Sequence, residues 1–146
     1  MLGVMPDRDA LLGLVADTNL GVLATIKRSG QPQLSHVNFG YEPDTAQIRI
    51  SITDGRAKTA NLRRDPRASL LVSSSDGWRY AVVEGSVTLS EVAAAPDDEA
   101  VEELVDVYRS VRGEDHPDWD DYRSAMVADR RLVCRLAISH VYGKSS

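Results

Sequence analysis

Residues 21–52 read GVLATIKRSGQPQLSHVNFGYEPDTAQIRISI, and their apolar runs, broken by turn residues, decide the fold class. Gly21 to Lys27 is rich in apolar and β-branched residues, and Arg28 to Pro32 holds the Gly and Pro of a hairpin turn. A second strand is expected over Pro32 to Tyr41, a turn over Glu42 to Thr45, and then a third strand. In that third strand Ile48, Ile50 and Ile52 alternate with Arg49 and Ser51, so one face is buried and the other is not.

Downstream, Asp54 and Gly55 end the alternation, and RAKTANLRRDP predicts a short helix that stops at Pro66, which has no amide hydrogen to give. Strands are expected over Arg67 to Ser73 and over a longer segment sharing Ala81, Val83, Val87 and Leu89 on one face, with a bulge at Gly85. Asp97, Asp98 and Glu99 then open a helix whose stripe runs Val101, Leu104, Val105, Tyr108, Val111 and closes at Gly113. A second helix carries Trp119, Tyr122 and Met126, and Arg131 to Gly143 alternates Leu132, Cys134, Leu136 and Ile138 as a last strand. Upstream, Pro6 and Asp7 announce a helix bearing Leu11, Leu12, Leu14 and Val15, and Met5 offers a second start position.

The resulting order is helix, three strands, short helix, two strands, two helices, strand. Hairpin-length connections favour an antiparallel sheet, and about six strands in a chain this short would curl into a small barrel with helices outside. The expectation is one mainly β domain over residues 1–146. Without βαβ alternation, a dinucleotide-type parallel sheet is disfavoured.

Charge supplies the functional clue. Arg56, Lys58, Arg63, Arg64 and Arg67 against Asp65 give residues 56–67 a charge of +4, whereas the whole chain is at −5, so the remainder stands at −9. Such a concentration of donors in an acidic background points to an anionic ligand, and the acidic background argues against nucleic acid. The helix start after Gly55 exposes unpaired amides, with Arg56, Lys58 and the Thr59 hydroxyl as further donors, which suits phosphate. The alternative is a solvated helix face with ion pairs. Gln33 and Ser35 share one strand face and could meet a heteroaromatic ring, or form the wet face of a half-buried strand. Trp78 and Tyr80 could stack on a planar ligand or close the end of a barrel.

His36, His116 and His140 show no metal-ligand spacing, and Cys134 reads as a buried apolar side chain. No glycine-rich phosphate loop, G-x-S-x-G elbow or C-x-x-C pair is present in the sequence. The lone cysteine and the lack of an apolar leader or a long apolar run give the reducing cytoplasm as the expected location, with no membrane partner.

The blocks GVLATIK, GQPQLSHV, RAKTANLRRDPRASLLV, GWRYAVVEG, AAPDDEAVEELVDVYR, DWDDYRSAMVADRR and ISHVYG together resemble the split β-barrel flavin and deazaflavin oxidoreductases. Within these, they resemble the actinobacterial branch often labelled pyridoxamine 5′-phosphate oxidase-like, whose members use coenzyme F420. The resemblance implies a six-stranded antiparallel split β-barrel of the FMN-binding type, paired as a homodimer with the cofactor in a groove between subunits. It implies that Arg56, Ala57, Lys58 and Thr59 form the phosphate-binding segment, that Gln33 and Ser51 lie near the ring, and that Trp78 is a wall residue. Arg130 would meet the anionic tail from the partner subunit. The implied activity is hydride transfer from reduced F420 to a conjugated organic acceptor. An FMN-dependent enzyme of the same type and a non-catalytic F420 carrier are the alternatives. Arg63, Arg64 and Arg67 favour the deazaflavin, whose phospholactyl-oligoglutamate tail carries carboxylates that FMN lacks. For the vitamin-oxidising activity the C-terminus supplies only His140, Tyr142 and Lys144.

Overall fold

The computed structural model describes residues 7–146, so Met5 and Pro6 fall outside the described residues. Helix α1 (Arg8–Ala16) is capped by the Asp7 carboxylate, which accepts from the Asp9 amide at 3.0 Å. Its Leu11, Leu14 and Val15 are buried. The strands are β1 (Leu20–Ile26), β2 (Pro32–Asn38), β3 (Gly40–Glu42), β4 (Gln47–Thr53), β5 (Arg67–Ser73), β6 (Tyr80–Leu89) and β7 (Arg131–Lys144). Between them lie α2 (Ala57–Arg64), α3 (Glu99–Arg112) and α4 (Trp119–Ala128).

The strands form one antiparallel sheet in the order β2-β1-β5-β6-β7-β4-β3. The sequence leads one to expect six strands; seven are present because the segment Pro32 to Tyr41 divides at Phe39. Its first part pairs with β1 and its second with β4, at opposite edges of the sheet. This division forces closure. Laid flat, seven strands would separate those edges by six spacings of about 4.8 Å, roughly 29 Å. One intervening residue spans at most about 7 Å. The sheet therefore rolls up until its edges meet at Phe39, which is 1 % exposed and donates its amide to the Asn19 carbonyl at 2.9 Å. Away from that corner the edges part. Since β3 pairs only with Gln47, Ile48 and Arg49, the rest of β4 is an open edge facing β2, and the barrel is split there.

Inside the barrel, Leu23, Ile48, Ile50, Ile52, Leu70, Val72, Leu132, Cys134 and Leu136 pack with Phe39 and the apolar side of α1. Each large side chain of this kind contributes about 1.5–3 kcal/mol when fully buried. A second apolar cluster lies outside, where Val101, Leu104, Val105 and Val107 of α3 and Tyr122 and Met126 of α4 cover Val133 of β7. Strand period two explains why one strand serves both cores: Leu132 and Cys134 point in, Val133 out.

Two glycines carry close approaches. At the bulge between Glu84 and Gly85, a Cβ on Gly85 would lie 1.8 Å from the Ala137 carbonyl oxygen. A Cβ on Gly40 would lie 2.3 Å from Ser110 Oγ, so this glycine lets α3 sit down on the edge of the sheet.

Candidate functional site

The split in the barrel is where the chemistry gathers. With Ile48, Ile50 and Ile52 turned inward, Ser51 and Thr53 of β4 face out, and across the gap β2 presents His36 and Asn38. Strand β4 runs through Asp54 and Gly55, the latter at φ +83°, directly into α2. Arg56 is the N-cap residue of α2 with extended backbone, yet its side chain makes no capping bond and the first turn holds no acid. The first-turn amides, starting at Ala57, thus lack both a helical acceptor and a capping side chain.

A cleft of about 530 Å³ lies over the split. Its cations are Arg56 from the N-cap of α2, Lys58 from α2, Arg112 from the end of α3 and Arg131 from the start of β7, and among the described residues no aspartate or glutamate lines it. The opposite wall is apolar and aromatic, made by Val107, Tyr108, Val111, Tyr122 and Met126. Lys58 is half-buried, and its Nζ donates to Ser35 Oγ at 3.4 Å. Desolvation first, then the neighbouring charges of Arg131 and Arg56, lower its proton affinity below the ordinary lysine value. An anion in this cleft would offset the repulsion among these cations and favour the charged form of Lys58.

Two groups of the acid or nucleophile type are held in their neutral forms. Burial pushes the Tyr122 phenol up to about 12, and its hydroxyl donates to the Leu104 carbonyl at 2.9 Å. Burial likewise pushes the Cys134 thiol up to about 12, so almost no thiolate exists near neutral pH. Among the described residues no group of three His, Cys, Asp or Glu side chains could hold a metal ion, and no helix is long and apolar enough to cross a membrane.

Of the residues the sequence singles out, Ser51, Arg56 and Lys58 line the cleft, and Ala57 is the first residue of α2. Thr59 is fully buried and donates its hydroxyl to the Thr53 carbonyl at 2.7 Å, so that donor is already used in tying α2 to β4. Gln33 is also an internal brace: its Oε1 accepts from Asn61 Nδ2 at 2.7 Å, and the same Nδ2 reaches Thr25 Oγ1 at 3.1 Å. Trp78 lies outside the cleft of its own chain, 72 % exposed, with the Lys144 ammonium 5.5 Å above its ring. Arg130, at φ +54°, donates to Asp54 Oδ2 at 2.7 Å. Arg63 takes Oδ1 at 2.6 Å, and Arg130 and then Arg63 hold the Asp54 carboxyl down at about 2.

The remaining arginines of the basic cluster have internal partners as well. Arg64 donates to the Ile26 carbonyl at 2.7 Å and to Asn61 Oδ1 at 3.0 Å, and Arg67 pairs with Asp65 at 2.8 Å. Only Arg56 and Lys58 of that cluster line the cleft. The sequence reading overlooked Arg112, Arg131 and Tyr108. For Arg131 a signal existed, because alternation in β7 puts it on the outer side with Val133.

The family described as pyridoxamine 5′-phosphate oxidase matches residues 8–145 of the chain. Among solved structures, a conserved hypothetical protein from Mycobacterium tuberculosis is similar over 99 % of this chain and 88 % of its own, at 22 % identity and a TM-score of 0.76. A protein described as an F420 reductase is similar over 93 % and 97 %, at 22 % identity and 0.62. A heme storage protein from Vibrio cholerae is similar over 94 % of each chain, at 13 % identity and 0.67. At these identities the likeness is one of fold.

Proposed function

The chain belongs to the pyridoxamine 5′-phosphate oxidase family, and we propose from that premise that it is an F420-dependent oxidoreductase reducing a conjugated organic acceptor. The observation that carries this reading is the cleft at the split, with four cations and no carboxylate in its lining. A phosphate-bearing cofactor fits that donor set. Arg56, Lys58 and the free amides at the start of α2 would hold the phosphate, with Ser51 beside the ring system. Thr59 and Gln33 serve by holding α2 against β4 and β2.

The preference for F420 over FMN no longer rests on Arg63, Arg64 and Arg67, which have partners of their own. It rests on Arg112 and Arg131, which bring the cleft to four cations where one phosphate carries about two charges. A tail with carboxylates accounts for the surplus. The similarity to an F420 reductase points the same way.

When bound, the reduced deazaflavin supplies the hydride. The chain's own contribution is position and electrostatics: Arg56, Lys58 and Arg131 on one side, and on the other, beside Arg112 at the end of α3, Val107, Tyr108, Val111 and Met126, which exclude water from the acceptor. No side chain of the cleft is assigned as an acid or base.

We further propose a homodimer. Among the described residues neither α3 nor α4 covers the outer face of β1, β5, β6 and the C-terminal part of β7, beyond Val133, and the register aligns Val22, Leu71, Val82 and Tyr142 in one row across it. Leu34, Leu71, Tyr80 and Tyr142 are exposed on that face, an apolar patch of the sort that marks an interface. In the dimer, Trp78 and Arg130 are assigned to the partner's groove. The test is to mix the protein with reduced F420 and a set of quinones, tetrapyrroles and unsaturated lactones and to follow cofactor oxidation, with FMN in parallel. Turnover with F420 supports the proposal. Binding of FMN alone would replace it with a flavin enzyme, and tight F420 binding with no turnover would make the protein a carrier.

A further inference from the structure

Three outward-facing arginines lie close together in sequence, and two have strong carboxylate partners. Arg130 has Asp54 at 2.7 Å, and Arg135 grips Glu103 at 2.5 Å through NH2 and 2.8 Å through Nε. Arg131, between them, has none within hydrogen-bond reach: its nearest carboxylate oxygen is Asp129 Oδ2, 3.9 Å from its Nε. That Nε is buried and has no hydrogen-bond partner. Its NH1 makes one long bond, 3.4 Å, to the Ser51 carbonyl on the cleft floor. Arg49 also leaves its Nε unbonded, but its NH2 is on Glu42 at 2.8 Å, so its charge is matched. A buried guanidinium N–H with no acceptor is costly unless something else supplies one.

The surroundings make the cost greater. Arg131 lines the same cleft as Arg56 and Lys58, and it is the charge that weighs most, after desolvation, against the Lys58 ammonium. Three like charges converge there with only the distant Asp129 carboxylate beside them, so an anion seated among them would lower their mutual repulsion.

We propose that Arg131 is a third ligand-holding side chain of this cleft, joining Arg56 and Lys58 on a phosphate-centred anion. The inference deepens the cofactor reading and rests on it in seating the phosphate at Arg56 and Lys58. It adds a third cation from the same chain as Arg56 and Lys58, next to Arg130, whose guanidinium is engaged by Asp54. A guanidinium fork donates to two oxygens of such an anion side by side, which an ammonium does not.

The experiment measures binding of F420, FMN and pyrophosphate to wild type, Arg131→Met, Arg131→Lys and, as a charge control outside the cleft, Arg67→Met. Arg131→Met is expected to weaken F420 and pyrophosphate binding by roughly tenfold or more, with Arg131→Lys intermediate, whereas Arg67→Met leaves both unchanged. A purely structural role would not give this pattern: Arg131→Met and Arg131→Lys keep the wild-type thermal melt yet differ from each other in pyrophosphate affinity. Equal F420 and pyrophosphate affinity in wild type and Arg131→Met overturns the inference while leaving the cofactor reading intact. If Arg131→Met does not fold, an Arg131→Lys protein that binds pyrophosphate as tightly as wild type overturns it instead. Should wild type bind neither F420 nor FMN yet hold pyrophosphate through Arg131, the inference stands and the cofactor reading falls. Failure of wild type to bind any of the three removes both.

Discussion

Replacing Lys58 by Met separates function from stability at the heart of the cleft. The stem of the side chain is conserved in length and the ammonium is lost. If Nζ donates to a cofactor phosphate in this partly desolvated position, its charge-assisted bonds contribute about 1.5–3 kcal/mol, a loss of roughly 10- to 150-fold in affinity. The unliganded protein should respond in the opposite sense. In wild type the folded-state proton affinity of Lys58 is lowered from 10.5 by desolvation, then by Arg131 and Arg56. Between that lowered value and 10.5 the unfolded chain binds more protons than the folded one, so stability rises with pH through this window. Lys58→Met lacks that rise and is at least as stable as wild type at pH 7. Fluorescence titration with F420 and thermal melts from pH 7 to about 11 read the two effects separately. An unchanged dissociation constant would refute the contact, and a melting temperature that falls with affinity would show that binding was lost through misfolding.

Gly85→Ala forces a Cβ toward the Ala137 carbonyl at the bulge and should cost about 3 kcal/mol, read as a lower urea midpoint; an unmoved midpoint would mean the bulge relaxes freely. Asp54→Asn removes a carboxylate held at about 2 by Arg130 and Arg63. Its stabilising effect is complete above 3.8 and disappears as pH falls through 2, so melts of the two proteins should differ at pH 7 and converge in acid; a constant gap at all pH values would contradict the pairing. Leu71→Asp places a carboxylate in the central row of the bare sheet face and should halve the mass seen by sedimentation; a dimer that persists would locate the interface elsewhere.

Much of the fold was legible because its signals are local. The inward Ile48, Ile50 and Ile52, the bulge at Gly85 and the stripe of α3 from Val101 to Val111 follow from period and from residue type alone. The break at Phe39 was not legible, because its cause is a pairing partner far away in sequence: β1 claims one side of that residue and β4 the other. The site was legible to the same extent. Arg56 and Lys58 follow from charge density and the helix start, but that density overstated the site, since Asp54, Asp65 and the Ile26 carbonyl absorb the other three arginines. Arg112 and Arg131 enter only when α3 and β7 fold over the split, and no short window of sequence contains them together with Lys58.

The most direct measurement is a crystal structure of the protein soaked with F420. The phosphate is expected in the split between β2 and β4, within hydrogen-bond reach of Lys58 Nζ and the first amides of α2. F420 bound away from that split, or no bound F420 under conditions where wild type saturates in solution, would contradict the assignment of the cleft.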